Sequence, residues 1–314
     1  MRFCYIGFTE VRKFNNNCNV FFKTKIYTKK PKIYLATFTI MTIQTIIRIY
    51  AISFLTTFLM FCVFLFCNNY FDYSAWNGMK ICYSRLTGVY CELDRVNDFF
   101  HQKINTYSNL VYFFLGMIVV QIALHDRNSK ENPPQNLIQQ FPLISFFFGC
   151  CLIYLCLASA FFHASLTWIG ERADMNATYS IAITLIGISC YRLLAKQDTS
   201  SKFKNWYVLF LFLIVMVFIE IYLYTSSFVL LPLLLLVAAI CTVINYFQNK
   251  ERYNVYLQIL SLLFLTAAFI LRTLDVKKIG CDPNSVYQGH AVWHFFTGMS
   301  AFLLYWFYRS EKAN

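Results

Sequence analysis

Charge is what this sequence has least of. Only 13% of its 314 residues are Asp, Glu, Lys or Arg, about half the share found in soluble domains. A soluble globule of this size could not cover its surface with so few solvating groups. Disorder is excluded as well, because it requires low hydrophobicity and high charge. Acidic residues are scarcer still, 15 against 27 basic ones, and histidine occurs five times. No internal repeat is visible. What fills the chain instead is apolar: 58% hydrophobic residues, 19% aromatic, and a mean hydropathy of +0.51. The fold class this implies is an all-α polytopic membrane protein.

The net charge of +12 is unevenly placed. Residues 1–48 hold nine basic side chains against Glu10 alone, two-thirds of the imbalance. A basic stretch just before a long apolar run reads as a cytoplasmic flank under the positive-inside rule. Contact with anionic lipid follows from the same charges. Nucleic acid is not an expected partner, because no nucleic-acid-binding fold signal accompanies the charge. Met41 stands as a second candidate start.

Apolar runs of membrane-crossing length cover 49–67 and then about 104–124, 141–163, 174–191, 206–224, 228–247, 255–271 and 289–308. The first is read as an uncleaved anchor, since Cys67-Asn68-Asn69 is a poor cleavage site for a signal peptide. The expected organisation is a basic segment 1–48, an extra transmembrane helix 49–67 and an outer loop 68–103. A seven-helix core 104–308 and a tail 309–314 follow. Glu220 is the one charged residue deep in a run. With the N-terminus inside, the basic 192–204 and 249–252 loops also fall inside, while 68–103, 164–173 and 273–288 fall outside. Lys277 and Lys278 run against that assignment.

Against so apolar a background the histidines stand out: His101, His125, His163, His290 and His294. Ionisable groups inside a membrane usually face the bundle interior and serve function. His290-Ala-Val-Trp-His294 places two imidazoles at i and i+4, on one helical face. One helix uses that spacing to give two ligands to a zinc ion, and a third His makes an open, catalytic type of site. Zinc lowers the pKa of water held in such a site to about 7. His163 is the expected third ligand, because it ends an outward span while the pair begins an inward one. Ser159 lies one turn before His163 on the same face, and Asp174 is expected at the head of the next span. Asp174 would accept the proton of the water, and the Ser159 hydroxyl would hydrogen-bond a developing oxyanion. An HExxH site is absent, since position 291 is Ala.

The set Ser159-Ala-Phe-Phe-His163, Asp174 and His290-Ala-Val-Trp-His294 resembles the S-x3-H, D, H-x3-H signature of the alkaline ceramidase superfamily. These seven-helix hydrolases include the adiponectin/progestin-type receptors and the GPI-remodelling lipases. The likeness is closest to alkaline ceramidases and their prokaryotic-type relatives. It extends through Tyr90-Cys91-Glu92, Asn105-Thr106-Tyr107-Ser108-Asn109, Cys281-Asp282-Pro283-Asn284-Ser285 and Gln288-Gly289-His290-Ala291, spanning roughly residues 90–308. The resemblance implies an intramembrane zinc amidase that hydrolyses ceramide, or a related N-acyl lipid, to a sphingoid base and a fatty acid. His163, His290 and His294 would hold zinc, with Asp174 and Ser159 in the roles already given. The substrate would enter laterally from the bilayer, near the outer or luminal face. A zinc-dependent ester hydrolase of phospholipid or GPI-type lipid is the first rival; a receptor-like protein with structural zinc is the second.

The resemblance also implies a calcium site before the first core helix, built on an acid-Trp-Cys-Glu run, a nearby Asn and a Glu three residues before the Asn-Thr. This chain keeps Glu92, but Val89 and Tyr90 replace the acid and Trp, and Gln102 replaces the later Glu. Glu92, Asp94 and Asn97 are the candidate calcium ligands, with Asp98 nearby, since calcium accepts carboxylate and amide oxygens flexibly. A solvated polar loop is the alternative. Of twelve Cys, Cys62, Cys150, Cys151, Cys156, Cys190 and Cys241 lie in apolar runs and read as small core residues. Cys4 and Cys18 lie on the inner side. The resemblance favours a Cys91–Cys281 disulfide, which would leave Cys67–Cys82 as the remaining outer pair, or as free thiols.

Overall fold

The structure, a computed structural model, describes residues 42–128, 136, 138–194, 200–248 and 253–311. The basic segment up to residue 41, with Cys4, Cys18 and Met41, lies outside the described residues, as do Pro133-Pro134, the 249–252 loop and the end of the tail.

Among the described residues the protein is helical, with only two isolated β-bridges, Asp72 with Asp98 and Ile81 with Thr167. Eight long helices are present: α1 (Ile43–Tyr70), α4 (Leu110–Asn128), α5 (Pro142–Ser165), α6 (Trp168–Leu194), α7 (Ser201–Tyr224), α8 (Ser227–Gln248), α9 (Val255–Val276) and α10 (Gly289–Arg309). Two short ones, α2 (Tyr83–Leu86) and α3 (Lys103–Ser108), belong to the segment between α1 and α4. Seven segments are long and apolar enough to cross a membrane, α3 and α4 counting as one. Helix α10 is not among them; His290, His294, Thr297 and Ser300 dilute its apolar face. The chain is a multi-pass membrane protein.

Burial orders the helices. In α5 and α6, 61% and 67% of the most apolar window is inside the bundle, against 17% for α1 and α9 and 11% for α7. The poorly buried helices expose large apolar side chains such as Phe54, Phe210, Leu233 and Leu262. Lipid, unlike water, does not penalise that exposure. Glu220 is exposed on α7. Helix α10 packs most extensively on α9, α4 on α5, and α5 on α6, while α1 leans on α4. The α4/α5 crossing is close because glycine faces glycine. A Cβ on Gly116 would come within 2.8 Å of the Gly149 carbonyl oxygen, and small residues let helix backbones approach in this way.

The first core span lies where expected, from Lys103 to Asn128, with one local irregularity. It starts as α3 and breaks at Asn109, where Ser108 Oγ and Asn109 Nδ2 both donate to the Asn105 carbonyl (2.9 and 2.8 Å) and compete with the helical ladder. Two other expectations need correction. Helix α6 begins at Trp168, so Asp174 lies nearly two turns inside it instead of at its head; the charged Glu171 and Arg172 are helical, not loop. Cys67 and Cys82 are both free thiols. Cys82 is fully buried under Phe162 and Leu166, with its sulfur 3.1 Å from Ser84 Oγ, while Cys67 packs into the core from α1.

Candidate metal centre

The site begins where α5 ends. Leu166 adopts the left-handed conformation (φ 47°) and stops the helix three residues after His163. The carbonyls that α5 leaves open are taken by the segments beside it. The His101 amide donates to the Ala164 carbonyl (3.0 Å), the Gln102 amide to the His163 carbonyl (3.1 Å), and the Cys82 amide to the Leu166 carbonyl (3.1 Å). The loop before α3 is thus docked, backbone to backbone, on the residue that carries the first imidazole.

Helix α10 delivers the other two from its first and second turns. Its start is fixed by Asp275, near the end of α9. One carboxylate oxygen accepts the His290 amide and the other accepts the Cys91 amide, each at 3.2 Å. Gly289 leaves room for this approach: a Cβ there would lie 3.0 Å from the Asp275 Cβ, so the carboxylate would have to shift. Cys91 is bonded to Cys281 in a disulfide that joins the loop before α3 to the loop before α10 across 190 residues. The same carboxylate and the same disulfide therefore hold both loops together.

His163, His290 and His294 converge, all buried, with one donor atom of each within 4.8 Å of the others. Nε2 of His163 and Nε2 of His290 are 3.1 Å apart. Two nitrogens bound at zinc distance in a tetrahedron are separated by roughly 3.3 Å, so the spacing fits one shared ion.

Hydrogen bonds set the tautomers. Gln102 Nε2 donates to the Glu92 carbonyl (3.5 Å), which turns Gln102 Oε1 toward Asn105 Nδ2 (3.3 Å) and His163 Nδ1 (2.8 Å). An amide oxygen only accepts, so Nδ1 of His163 carries the proton and Nε2 is bare. Ser108 gives its one hydrogen to the Asn105 carbonyl, so it accepts from Nδ1 of His294 at 2.7 Å and leaves Nε2 of that ring bare too. Nδ1 of His290 is buried without a hydrogen-bond partner. Inward-facing nitrogens, with the other ring nitrogen held by a hydrogen bond at His163 and His294, suit a zinc site. The donor set fits the metal.

Ser159, buried on α5 one turn before His163, donates a hydrogen bond to the Asp174 carboxylate on α6. The Tyr90 ring stands over the centre, 4.5 Å from the His290 ring and 5.2 Å from that of His163. Burial pushes its phenol pKa up, and the Asp174 charge adds to the shift. Arg272 lies against Trp293, 5.6 Å from the ring centre. Beside the centre, an apolar cavity of about 290 Å³ runs between the helices, lined by Tyr112, Leu152, Ile181, Leu265, Trp293 and Thr297 among others.

The candidate calcium ligands are placed differently. Glu92 is buried and accepts from the backbone amides of Ile104 and Asn105, each at 2.8 Å, and from Arg95 at 3.3 Å. Asp94 is bound by Arg85 (2.8 Å) and His101 (2.5 Å), and Asn97 is exposed. Among the described residues, the only group of three or more His, Cys, Asp or Glu with metal-holding geometry is the histidine triad.

A family model described as Ceramidase matches residues 87–313. This chain belongs to the ceramidase family. No curated protein matches it significantly. The match begins after α1, so the ceramidase unit consists of the loop with Tyr90 and Cys91, helices α3 to α10, and every residue of the centre just described. Ceramide hydrolysis, the cleavage of an amide bond, is the activity this membership supports. Sequence reasoning missed Gln102 as a partner of His163, noticing it only as a departure from an acidic pattern. It also missed Asp275, whose one signal was a lone carboxylate near the end of an apolar run.

Proposed function

We propose that this protein is a zinc-dependent intramembrane amidase that hydrolyses ceramide or a related N-acyl lipid to a sphingoid base and a fatty acid. The observation that carries this reading is the convergence of three buried imidazoles, two of them held by hydrogen bonds that leave a bare nitrogen turned inward. Zinc held by His163, His290 and His294 would supply a Lewis acid and acidify a water to near neutrality.

The chain's own residues do the rest. Asp174 takes the proton from the attacking water, and Ser159 holds Asp174 in place until it does. A protonated Asp174 no longer needs the serine hydrogen, which turns to the amide oxygen as negative charge develops there. The water oxygen bonds to the carbonyl carbon, the C–N bond breaks, and Asp174 passes its proton to the leaving nitrogen. Tyr90 and the disulfide-tied loops cover the centre, while the apolar cavity takes a hydrocarbon chain that enters from the bilayer. Charge asymmetry favours a cytoplasmic N-terminus, with this centre at the outer or luminal end.

The test is hydrolysis of a lipid panel by purified protein, with and without a zinc chelator, alongside His290→Ala and Asp174→Asn. Chelator-sensitive release of fatty acid from ceramides or N-acyl lipids is expected. Release from phospholipid or GPI-type esters alone would replace the amidase with an esterase, and release from none would end the hydrolase reading.

A further inference from the structure

Behind His163 lies a charged cluster that the proposed chemistry does not use. It consists of Glu92, Asp94, Arg85, Arg95 and His101, and it borders a cavity of about 210 Å³ also lined by Tyr90 and Gln102. This is the stretch that the resemblance to alkaline ceramidases assigns to calcium. There is room for an ion; free anionic oxygen is what is missing. Calcium takes six to eight oxygens, with carboxylates supplying the charge. Here both oxygens of Glu92 and both of Asp94 already face donors, two of them guanidinium groups within 3.3 Å. The two further positions of the family pattern, Val89 and Gln102, carry no charge. The Gln102 amide oxygen is turned away to His163 and Asn105. A divalent cation entering this cluster would meet two arginines and no free carboxylate oxygen. The residues do not fit calcium.

We propose that this chain has exchanged the divalent cation for cations of its own: Arg95 on Glu92 and Arg85 on Asp94 form an internal clamp, with the His101 ring hydrogen-bonded to Asp94. The clamp acts on the metal centre through α3. Glu92 binds the amides of Ile104 and Asn105 in the first turn of α3, and the Glu92 carbonyl accepts from Gln102, whose side chain fixes His163. Burial pushes the Glu92 carboxyl upward in pKa, and the two amides and Arg95 oppose that shift. Arg95 is therefore a positioning residue, acting on His163 through Glu92 and Gln102. Both the fold and the activity follow as calcium-independent.

The part concerning His163 rests on the proposed zinc site; the calcium part does not. The full-length protein in detergent, stripped with EGTA, is titrated with calcium up to millimolar concentration. Thermal unfolding and radiocalcium binding are followed, with magnesium as control. No saturable binding and no calcium-specific rise in Tm are expected; saturable binding near one ion per chain would overturn the proposal. Arg95→Met and Arg95→Lys are then loaded with Co(II), whose visible spectrum reports the geometry of the three imidazoles without any turnover. Arg95→Met is expected to shift that spectrum and weaken metal binding about threefold, below the roughly 10-fold loss of a direct hydrogen-bond partner of a metal ligand, while Arg95→Lys restores most of both. An Arg95→Met spectrum and affinity equal to wild type would overturn the clamp. If wild type binds no Co(II) at all, it is the zinc reading that fails, and the calcium titration still decides the exchange. Should Arg95→Met not fold, Arg95→Lys and the titration carry the test.

Discussion

The two ends of the bundle each bury polar groups, and they treat them in opposite ways. At the end away from the histidines, the charges of Arg309, Asp126, Arg192 and Glu311 meet their opposites. Arg309 forms a two-point pair with Asp126 (2.5 and 2.8 Å), Arg192 binds Glu311 (2.6 Å) and Tyr253 (3.1 Å), and Asn136 holds the Arg309 carbonyl (2.9 Å). That end is closed. At the histidine end Gln102 and Ser108 take the outward protons of His163 and His294, the outward nitrogen of His290 has no partner, and the inward nitrogens face a common space. A buried polar cluster that completes itself is structure. One whose donor atoms converge at metal-holding spacing is suited to a ligand. If that contrast is right, changes at the first end alter stability without chemistry, and changes at the second alter chemistry first.

The sharpest break is His290→Ala. Loss of one of three ligands removes a Lewis-acid contribution of several kcal/mol, about a thousand-fold or more in turnover, while zinc content measured by mass spectrometry falls with it. Full zinc occupancy together with lost activity would mean that the triad is not the metal site. Asp174→Asn comes next. It keeps shape and zinc but removes the proton acceptor, with an expected fall in kcat of about 10²–10⁴-fold and little change in KM. An unchanged kcat would move the base elsewhere and leave Asp174 a structural partner of Ser159.

The closed end is tested by Arg309→Met. Leaving Asp126 buried without its partner is expected to destabilise the protein by about 3–5 kcal/mol, seen as a lower Tm, with kcat per folded molecule unchanged. Asp126→Leu combined with Arg309→Met should recover most of the loss, because a well-packed apolar pair often replaces a buried ion pair without net cost. A fall in kcat at constant zinc content would show that the two ends are coupled, and the comparison would have to be abandoned.

How much of this the sequence carries depends on how local each feature is. The His290–His294 pair is written in a four-residue period, and the long helices in apolar runs, so both are legible. The resemblance supplied the Cys91–Cys281 bond. Pairing the remaining outer cysteines by elimination failed, because nothing in the sequence says that Cys82 is buried under Phe162 and Leu166. Helix starts were misplaced wherever polar residues join a membrane helix, as Glu171 and Arg172 do at the head of α6. Gln102, Asp275 and the Arg309–Asp126 pair were hidden for a common reason. Each joins positions 15 to 184 residues apart through a polar contact that has no periodicity.

The smallest expected effects separate the two imidazole supports. Gln102 holds His163 twice, by its side chain and by its backbone amide on the His163 carbonyl, whereas Ser108 offers His294 a single hydroxyl. Gln102→Leu deletes only the side-chain half and leaves the Nδ1 proton of His163 buried without an acceptor. Ser108→Ala does the same to His294, which has no second contact from Ser108. Loss of such a partner weakens metal binding by about 10–100-fold; Gln102→Leu is expected toward the lower figure, because the backbone contact stays, and Ser108→Ala toward the upper. With excess zinc, both should regain most of their kcat, since neither residue touches the scissile bond. Competition with a chromogenic chelator measures the affinities. Equal losses would mean that the docked backbone contributes nothing to His163. A kcat that stays low at saturating zinc would place Ser108 or Gln102 in the chemistry itself, and the line between support and site would have to be redrawn inside that end of the bundle.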